Sequence, residues 1–167
     1  MNPWREPLRH LAANPSAAVD GPEWLTGVSE WVPVTRAEAD AYDSLTLGVI
    51  DFTVHPPGPN RQAPVSRLYL LALLSKFDSE LDLPGVATDR YVASLNYGYD
   101  DVTWYADIYG GALVRDEVTS TEVQERDPDR FLISRRHTLV TAPSGLVTAT
   151  SGEPIMTATS RSMTVLL

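Results

Sequence analysis

Cysteine is absent from the 167 residues, which excludes disulfide bonds, a thiol nucleophile, thiolate metal sites and iron–sulfur ligation. Histidine occurs only three times, at His10, His55 and His137, and these positions are far apart along the chain. Zinc sites draw on closely spaced histidine or cysteine ligands, so this scatter disfavours one. We therefore expect no metal site.

Basic residues are scarce, and Lys76 is the only lysine. Lysine and arginine total 13 against 22 aspartates and glutamates, for a formal net charge of −9. An acidic surface repels phosphate backbones and anionic lipid, so we expect neither nucleic-acid nor membrane binding. A local group of arginines could still hold one phosphate.

A long apolar run is also missing, and the first thirty residues are interrupted by Pro7 and Pro15. We therefore expect no signal peptide, no transmembrane helix and a cytoplasmic protein. With 43% hydrophobic and 21% charged residues, the composition is that of one globular domain. We expect an N-terminal arm over residues 1–33, with one or two helical turns between Pro7 and Ala13, and a domain over residues 34–167. Three tryptophans would pack the arm on the body: Trp4, Trp24 and Trp31.

Two helices are predicted in the first half of the domain. Thr35 and Glu38 form a capping-box pattern, which predicts a helix from Arg36 to about Leu45. The second helix contains Leu68 to Leu74, seven residues without a polar face. A helix that is apolar on all sides must be covered on most of them.

The ends of this second helix also carry signals. Ser66 is suited to cap its N-terminus, and Ser75-Lys76-Phe77 marks the expected exit.

From Tyr91 onward the pattern predicts strands. Three segments rich in Val, Thr, Ile and Leu are separated by Pro/Gly/Asp turns: Leu113 to Gln124, Phe131 to Thr141 and Ile155 to Leu166. Long strands joined by short turns indicate an antiparallel meander. The expected fold class is α+β, a long antiparallel sheet that curls around one central apolar helix. A second subunit could supply part of the cover.

The segment that begins Leu95-Asn96-Tyr97-Gly98 and continues to Trp104, Ile108 and Gly111 resembles the second half of MaoC-like dehydratases. These are hotdog-fold enoyl-thioester hydratases, including the nodulation-protein-N type. The resemblance extends over roughly Val34 to Leu166 and implies a single hotdog domain. It also implies a dimer whose sheets join edge to edge, with no metal or redox cofactor.

In that family an Asp, followed five residues later by a His, activates water. The resemblance therefore implies that His55 is the general acid/base and that Asp51 assists it. Here Ile50 stands five residues before His55, and Asp51 is one position closer. In a regular strand, residues four apart lie roughly 13 Å from one another. Direct pairing would need a bulge or turn, and otherwise His55 is a loop residue and Asp51 a solvated or capping one.

The family's second motif is Ala-His-Gly at the start of the central helix, where an amide and the helix dipole hold the thioester oxygen. This chain has Val65-Ser66-Arg67 there. The Ser66–Arg67 amides would take that role, unless Ser66 is simply the N-cap. Arg67 and Arg61 could hold a phosphate of the substrate's carrier. Alternatively, Arg67 could face a carboxylate substrate at the helix N-terminus, or the arginines could pair with surface acids.

Asn96 and Tyr97 are candidates for substrate contact, with a turn and core packing as the alternative. His10 and His137 are interpreted as structural or surface residues. Arg135 and Arg136 are consecutive on a strand, so their side chains should point to opposite faces.

Two hypotheses for function follow. In the first, the protein is an acyl-thioester dehydratase or hydratase in fatty-acid-like or polyketide and other secondary metabolism. Its substrate would be carried on coenzyme A or on the phosphopantetheine of an acyl carrier protein. In the second, it is a catalytically altered hotdog subunit, such as the non-catalytic partner in a heterodimeric dehydratase, a binding protein or a cyclase. A thioesterase ranks below both, because Leu68 to Phe77 contains no carboxylate.

Overall fold

The computed structural model describes residues 2, 4–14, 26–46, 63–81, 92–142 and 152–167. Within them are three helices and six strands. The helices are α1 (Arg5–Ala13), α2 (Arg36–Thr46) and α3 (Arg67–Glu80). The strands are β1 (Gly27–Val28), β2 (Val32–Pro33), β3 (Val92–Trp104), β4 (Leu113–Asp127), β5 (Arg130–Thr141) and β6 (Glu153–Leu166).

All six strands form one antiparallel sheet in the order β1-β4-β5-β6-β3, with β2 also paired to β4. β4 and β5 join through a tight turn in which Asp129 adopts a φ of 64°. This is the turn expected from Asp127-Pro128-Asp129, since aspartate tolerates the left-handed region. The predicted strands are confirmed, and the expected α+β arrangement is observed.

Helix α3 packs its apolar residues against the inner face of this sheet. Five α3 side chains are buried: Tyr69, Leu70, Leu73, Leu74 and Phe77. They pack with sheet residues that include Val114, Leu139, Met156 and Ala158. The helix is covered on most sides, as expected, and Leu68 in its first turn is the exception at 55% exposed.

The start of α3 agrees with the sequence, but its end does not. Ser66 is the N-cap, and its hydroxyl accepts from the Tyr69 N–H at 3.4 Å. The expected exit at Ser75-Lys76-Phe77 is wrong, because the helix continues to Glu80. Residues 75–80 contain neither glycine nor proline, so nothing in the chain breaks the helix there.

The N-terminal arm contributes to both the core and the sheet. Leu8 and Leu11 of α1 are buried in a second apolar cluster with Phe131, Ile133 and Leu166. The helix starts at Arg5, ahead of the expected Pro7, and Arg5 pairs with Asp129 at 2.7 Å. Trp4 packs against the cluster, and Trp24 lies outside the described residues.

Trp31, the third tryptophan of the arm, packs its ring against the Arg115 guanidinium. The distance from the ring centroid to the guanidinium carbon is 4.6 Å.

The capping box of α2 is confirmed in its first half, where the Thr35 hydroxyl accepts from the Glu38 N–H at 3.2 Å. The Glu38 carboxylate accepts from the Thr35 hydroxyl instead of from the Thr35 amide.

Candidate functional site

A band of buried polar side chains separates the two apolar clusters on the inner face of the sheet. The alternation of β5 places Ile133, Arg135, His137 and Leu139 on that face. His137 is entirely buried and Arg135 almost entirely so. Buried polar groups carry a large desolvation cost unless they are paired. Their partners therefore decide what the band can do.

His137 bridges two strands through its two ring nitrogens. Its Nδ1 lies 2.7 Å from Asp116 Oδ2 on β4, and its Nε2 lies 2.8 Å from Ser160 Oγ on β6. All three residues are buried. The backbone of Asp116 is held by Ser29, whose hydroxyl accepts from the Asp116 N–H at 3.0 Å. The result is a carboxylate–imidazole–hydroxyl relay that crosses three adjacent strands.

The C-terminal part of α3 adds a second carboxyl group, Asp78. Burial raises the pKa of Asp78, and the positive charge of His137 and Arg135 partly opposes this rise. Burial also raises the pKa of Asp116, against the hydrogen bond from His137. Burial lowers the pKa of Arg135, and the charge of Asp78 opposes that effect. The band thus contains two carboxyl groups whose protonated form is favoured, together with one compensating arginine.

Within the described part of the chain, one group of side chains lies close enough to ligate a cation. One ligand atom each of Asp78, Asp116 and His137 lies within 4.8 Å of the others. Both ring nitrogens of His137 are already engaged, and Arg135 supplies positive charge nearby. The arrangement fits a hydrogen-bonded relay better than a set of metal ligands.

Tyr99 covers the relay from the edge strand. It lies opposite Ser160 in the β3–β6 ladder, and its ring meets the His137 ring edge-on with centroids 6.5 Å apart. Its hydroxyl is 2.9 Å from Ser75 Oγ on α3. Burial raises the pKa of Tyr99, against the hydrogen bond with Ser75. Tyr99 and Ser75 therefore link the edge strand to the helix beside His137.

The predicted site residues at the start of α3, Ser66 and Arg67, lie apart from this relay. Arg67 pairs with Asp107 at 3.1 Å, and its guanidinium carbon lies 5.2 Å from the centroid of the Trp104 ring. Its side chain is substantially exposed. Of the alternatives for Arg67, the surface ion pair is the one observed, and Ser66 is the N-cap.

An apolar groove of about 450 Å³ lies beside the start of α2. Its walls are formed by Pro33, Val34, Thr35, Arg36, Ala63, Gly110 and Gly111. The Arg36 guanidinium donates to the carbonyl oxygens of Ala63 and Pro64, at 3.0 and 3.3 Å. These contacts hold the segment that leads into α3 against the start of α2.

Asn96 and Tyr97 lie on β3, at the edge of the sheet. The side-chain oxygen of Asn96 accepts from the Gly98 N–H at 2.7 Å, where the register shifts and Gly98 has a φ of +113°. Asn96 thus organises a bulge, as its alternative interpretation held. Tyr97 is 62% exposed, so the expectation that it fills the core is wrong.

The remaining predicted site residues, Asp51, His55 and Arg61, lie outside the described residues. The structure adds four that the sequence analysis did not select: Asp78, Asp116, His137 and Ser160. Alternation along β5 was the available signal, because it places Arg135 and His137 on the same face as Phe131, Ile133 and Leu139. Arg135 and Arg136 do point to opposite faces, one buried and one exposed.

No family model matches this sequence, and no curated protein matches it. Solved structures do share its fold. A monoamine oxidase regulatory protein from Archaeoglobus matches with a TM-score of 0.61 and 13% identity, over 85% of this chain and 89% of that one. A MaoC-like dehydratase from Rhodospirillum rubrum matches with a TM-score of 0.56 and 14% identity, over 85% of this chain and 91% of that one. An (R)-hydratase from A. caviae matches with a TM-score of 0.53 and 16% identity, over 85% of this chain and 94% of that one.

These similarities confirm the hotdog fold expected from the resemblance to MaoC-like dehydratases. At 13% to 16% identity they establish the fold and not the reaction. No helix in the described part of the chain is long and apolar enough to span a membrane.

Proposed function

We propose that this hotdog protein is an acyl-thioester dehydratase or hydratase, which interconverts 3-hydroxyacyl and enoyl thioesters. The observation that carries the proposal is the fold, shared over 85% of the chain with a dehydratase and an (R)-hydratase. The acyl group would be carried on coenzyme A or on an acyl carrier protein. Fatty-acid-like or polyketide and other secondary metabolism would supply such substrates.

The start of α3 is suited to the thioester end of the substrate. The positive end of the helix dipole lies at Ser66 and Arg67, where it would stabilise the negative charge that develops on the thioester oxygen. The apolar groove beside the start of α2, where Arg36 holds the segment that leads into α3, is suited to the uncharged part of an acyl or pantetheine chain.

His55 and Asp51 are the proposed acid/base groups. In hydration, His55 takes a proton from water as the oxygen bonds to C3 of the enoyl group, and the α-carbon gains a proton. Dehydration is the reverse, so the reaction consumes no redox equivalent. Arg61 and Arg67 would hold a phosphate of the carrier, with Arg67 exchanging its bond to Asp107 for the phosphate.

Dimerisation would occur at the free side of β3. This strand is an outer member of the described sheet, and its Leu95 and Tyr97 side chains are each 62% exposed. An uncovered edge strand pairs readily with a second chain. We propose a homodimer or a heterodimer with another hotdog subunit, joined edge to edge.

The test is hydration of crotonyl-type thioesters, on coenzyme A and on a carrier protein, by the purified chain. We expect His55→Ala to lower kcat on the order of 10²- to 10⁴-fold. The matched control is His10→Ala, since His10 lies exposed on α1. Equal activity of the two variants would refute the assignment of His55.

A second candidate is the catalytically altered subunit, and the environment of Arg67 favours it. The resemblance places a glycine at this helix start, but here an arginine is held by Asp107 and Trp104. A side chain at this position restricts the approach of a substrate to the backbone. Inactivity of the chain alone, with activity restored by a second hotdog subunit, would establish this candidate over the first.

A further inference from the structure

The relay on β4, β5 and β6 has the connectivity of a nucleophilic serine site. The carboxylate of Asp116 meets Nδ1 of His137, and the hydroxyl of Ser160 meets Nε2. This is the nitrogen assignment by which an imidazole takes a proton from a serine while a carboxylate steadies the resulting cation. The proposed hydration at the start of α3 makes no use of it.

The surrounding charges are compatible with this role. Burial raises the pKa of Asp116, the acid in contact with the imidazole, and the hydrogen bonds from His137 and the Glu117 backbone oppose this rise. The other acid, Asp78, faces Arg135, and burial favours its protonated form. Arg135 supplies positive charge beside these carboxyl groups, as a buried group of acids requires.

Access to Ser160 is controlled from the edge of the sheet. Ser160 is 6% exposed, and Tyr99 is its partner on the neighbouring strand. Tyr99 lies between two register shifts of β3, at Asn96/Gly98 and at Asp100/Thr103. Bulged segments of an edge strand have fewer ladder hydrogen bonds to break. Displacement of Tyr99 from Ser75 would open the side of the relay that faces the edge.

We propose that Ser160 is an acyl-accepting nucleophile, activated by His137 and Asp116 and gated by Tyr99. Its acyl donor is a thioester, which rests on the function proposed above. Ser160 Oγ bonds to the thioester carbonyl carbon as His137 Nε2 takes the hydroxyl proton. The C–S bond then breaks and the thiol leaves with that proton. Water, deprotonated by His137, cleaves the acyl ester and regenerates Ser160.

This inference revises the low rank that the sequence gave to thioester hydrolysis. That ranking relied on the absence of a carboxylate between Leu68 and Phe77. The next residue, Asp78, still belongs to α3 and lies beside His137.

β6 provides a matched control. Ser162 lies two residues from Ser160, so both side chains point to the inner face of the sheet. The Ser162 hydroxyl is buried and has no hydrogen-bond partner among the described residues. The two serines differ in their contact with His137, which makes the pair a direct test of activation.

The experiment treats the folded full-length chain with phenylmethylsulfonyl fluoride and maps the adduct by peptide mass spectrometry. We expect one adduct, on Ser160, lost in Ser160→Ala and retained in Ser162→Ala. His137→Gln should slow labelling on the order of 10²- to 10⁴-fold, the usual contribution of a general base. Tyr99→Ala should accelerate it, and circular dichroism of each variant verifies the fold.

Two outcomes would overturn the proposal. One is an unlabelled protein, in wild type and Tyr99→Ala alike, under conditions that fully label trypsin. The other is labelling that does not distinguish Ser160 from Ser162 or that is unaffected by His137→Gln. Neither outcome bears on hydration, because His55→Ala is assayed separately with crotonyl-type thioesters. An acyl adduct on Ser160 after incubation with an acyl thioester would identify the donor.

Discussion

The two ends of α3 place charged side chains in opposite environments. At the N-terminal end, Arg67 forms a solvent-exposed ion pair with Asp107. At the C-terminal end, Asp78 faces Arg135, His137 and Asp116 in the interior of the domain. Coulomb attraction between such charges is weak in water and strong in the interior, where the desolvation cost is also large. A charged residue at the exposed end of α3 therefore contributes little to the free energy of unfolding, and one at the buried end contributes much more.

The largest expected effect is the loss of Arg135. Arg135→Ala removes the arginine that compensates the buried carboxyl groups, and we expect a loss of about 3–5 kcal/mol in the free energy of unfolding. Arg136→Ala, one residue along and exposed, is the control and should change stability by less than about 0.5 kcal/mol. Urea unfolding measures both. Similar losses in the two variants would contradict the contrast between interior and surface.

A second pair of variants compares the faces of α3. Leu74 is fully buried, so Leu74→Ala should cost about 2–5 kcal/mol through lost contacts and a cavity. Leu68→Ala on the exposed face should cost less than about 0.5 kcal/mol in the monomer. If Leu68→Ala is the more destabilising, another surface covers that face in solution, and size-exclusion chromatography would show the associated change in oligomeric state.

The buried carboxyl groups predict a specific dependence of stability on pH. Burial raises the pKa of Asp78 in the folded protein above its ordinary value of 3.8. Its contribution to stability is therefore greatest below that value and is lost as the pH rises through the raised pKa. Asp78→Asn should remove this part of the pH dependence. We expect the difference in unfolding free energy between the variant and wild type to change as the pH rises from about 4 and to level off above the raised pKa.

The control for this titration is Ser162→Ala, an uncharged change in the same band. Its difference from wild type should be independent of pH. A difference for Asp78→Asn that is equally flat would show that the carboxyl group has the same pKa in the folded and unfolded states.

The smallest effect is expected at the N-terminal end of α3. Arg67→Ala breaks a pair that is partly screened by solvent, so we expect a loss of about 0–1 kcal/mol. Thermal unfolding at low and high salt measures the change, which should shrink as salt rises. A loss comparable to that of Arg135→Ala would remove the distinction between the two ends.

Local patterns account for what could be predicted. The Thr35 and Ser66 caps, the three long strands and the turn at Asp129 each depend on residues a few positions apart. The exit of α3 was predicted too early because Ser75 and Lys76 are polar, although neither interrupts helical hydrogen bonding. The exposure of Tyr97 depends on β3 being an outer strand of the sheet, and that of Leu68 on which face of α3 is covered. Neither can be determined from residues nearby in the sequence.

The candidate relay could not be predicted in the same way, because its members come from separate elements. Asp116, His137 and Ser160 are 21 and 23 residues apart, and sequence spacing does not report which strands are adjacent. Each residue by itself is an ordinary polar position on a strand. Their strand pairing brings the three side chains to one face and within hydrogen-bond distance.

The sequence by itself determined the elements of this protein, because helix caps, apolar periodicity and turn residues act over short distances along the chain. Those elements indicated the α+β class, and the segment from Leu95 to Gly111 implied the hotdog fold through its resemblance to MaoC-like dehydratases. Only the tertiary structure decided that Asp78 faces Arg135 and that His137 joins Asp116 to Ser160. Desolvation and hydrogen bonding depend on neighbours in space, and the antiparallel sheet selects those neighbours.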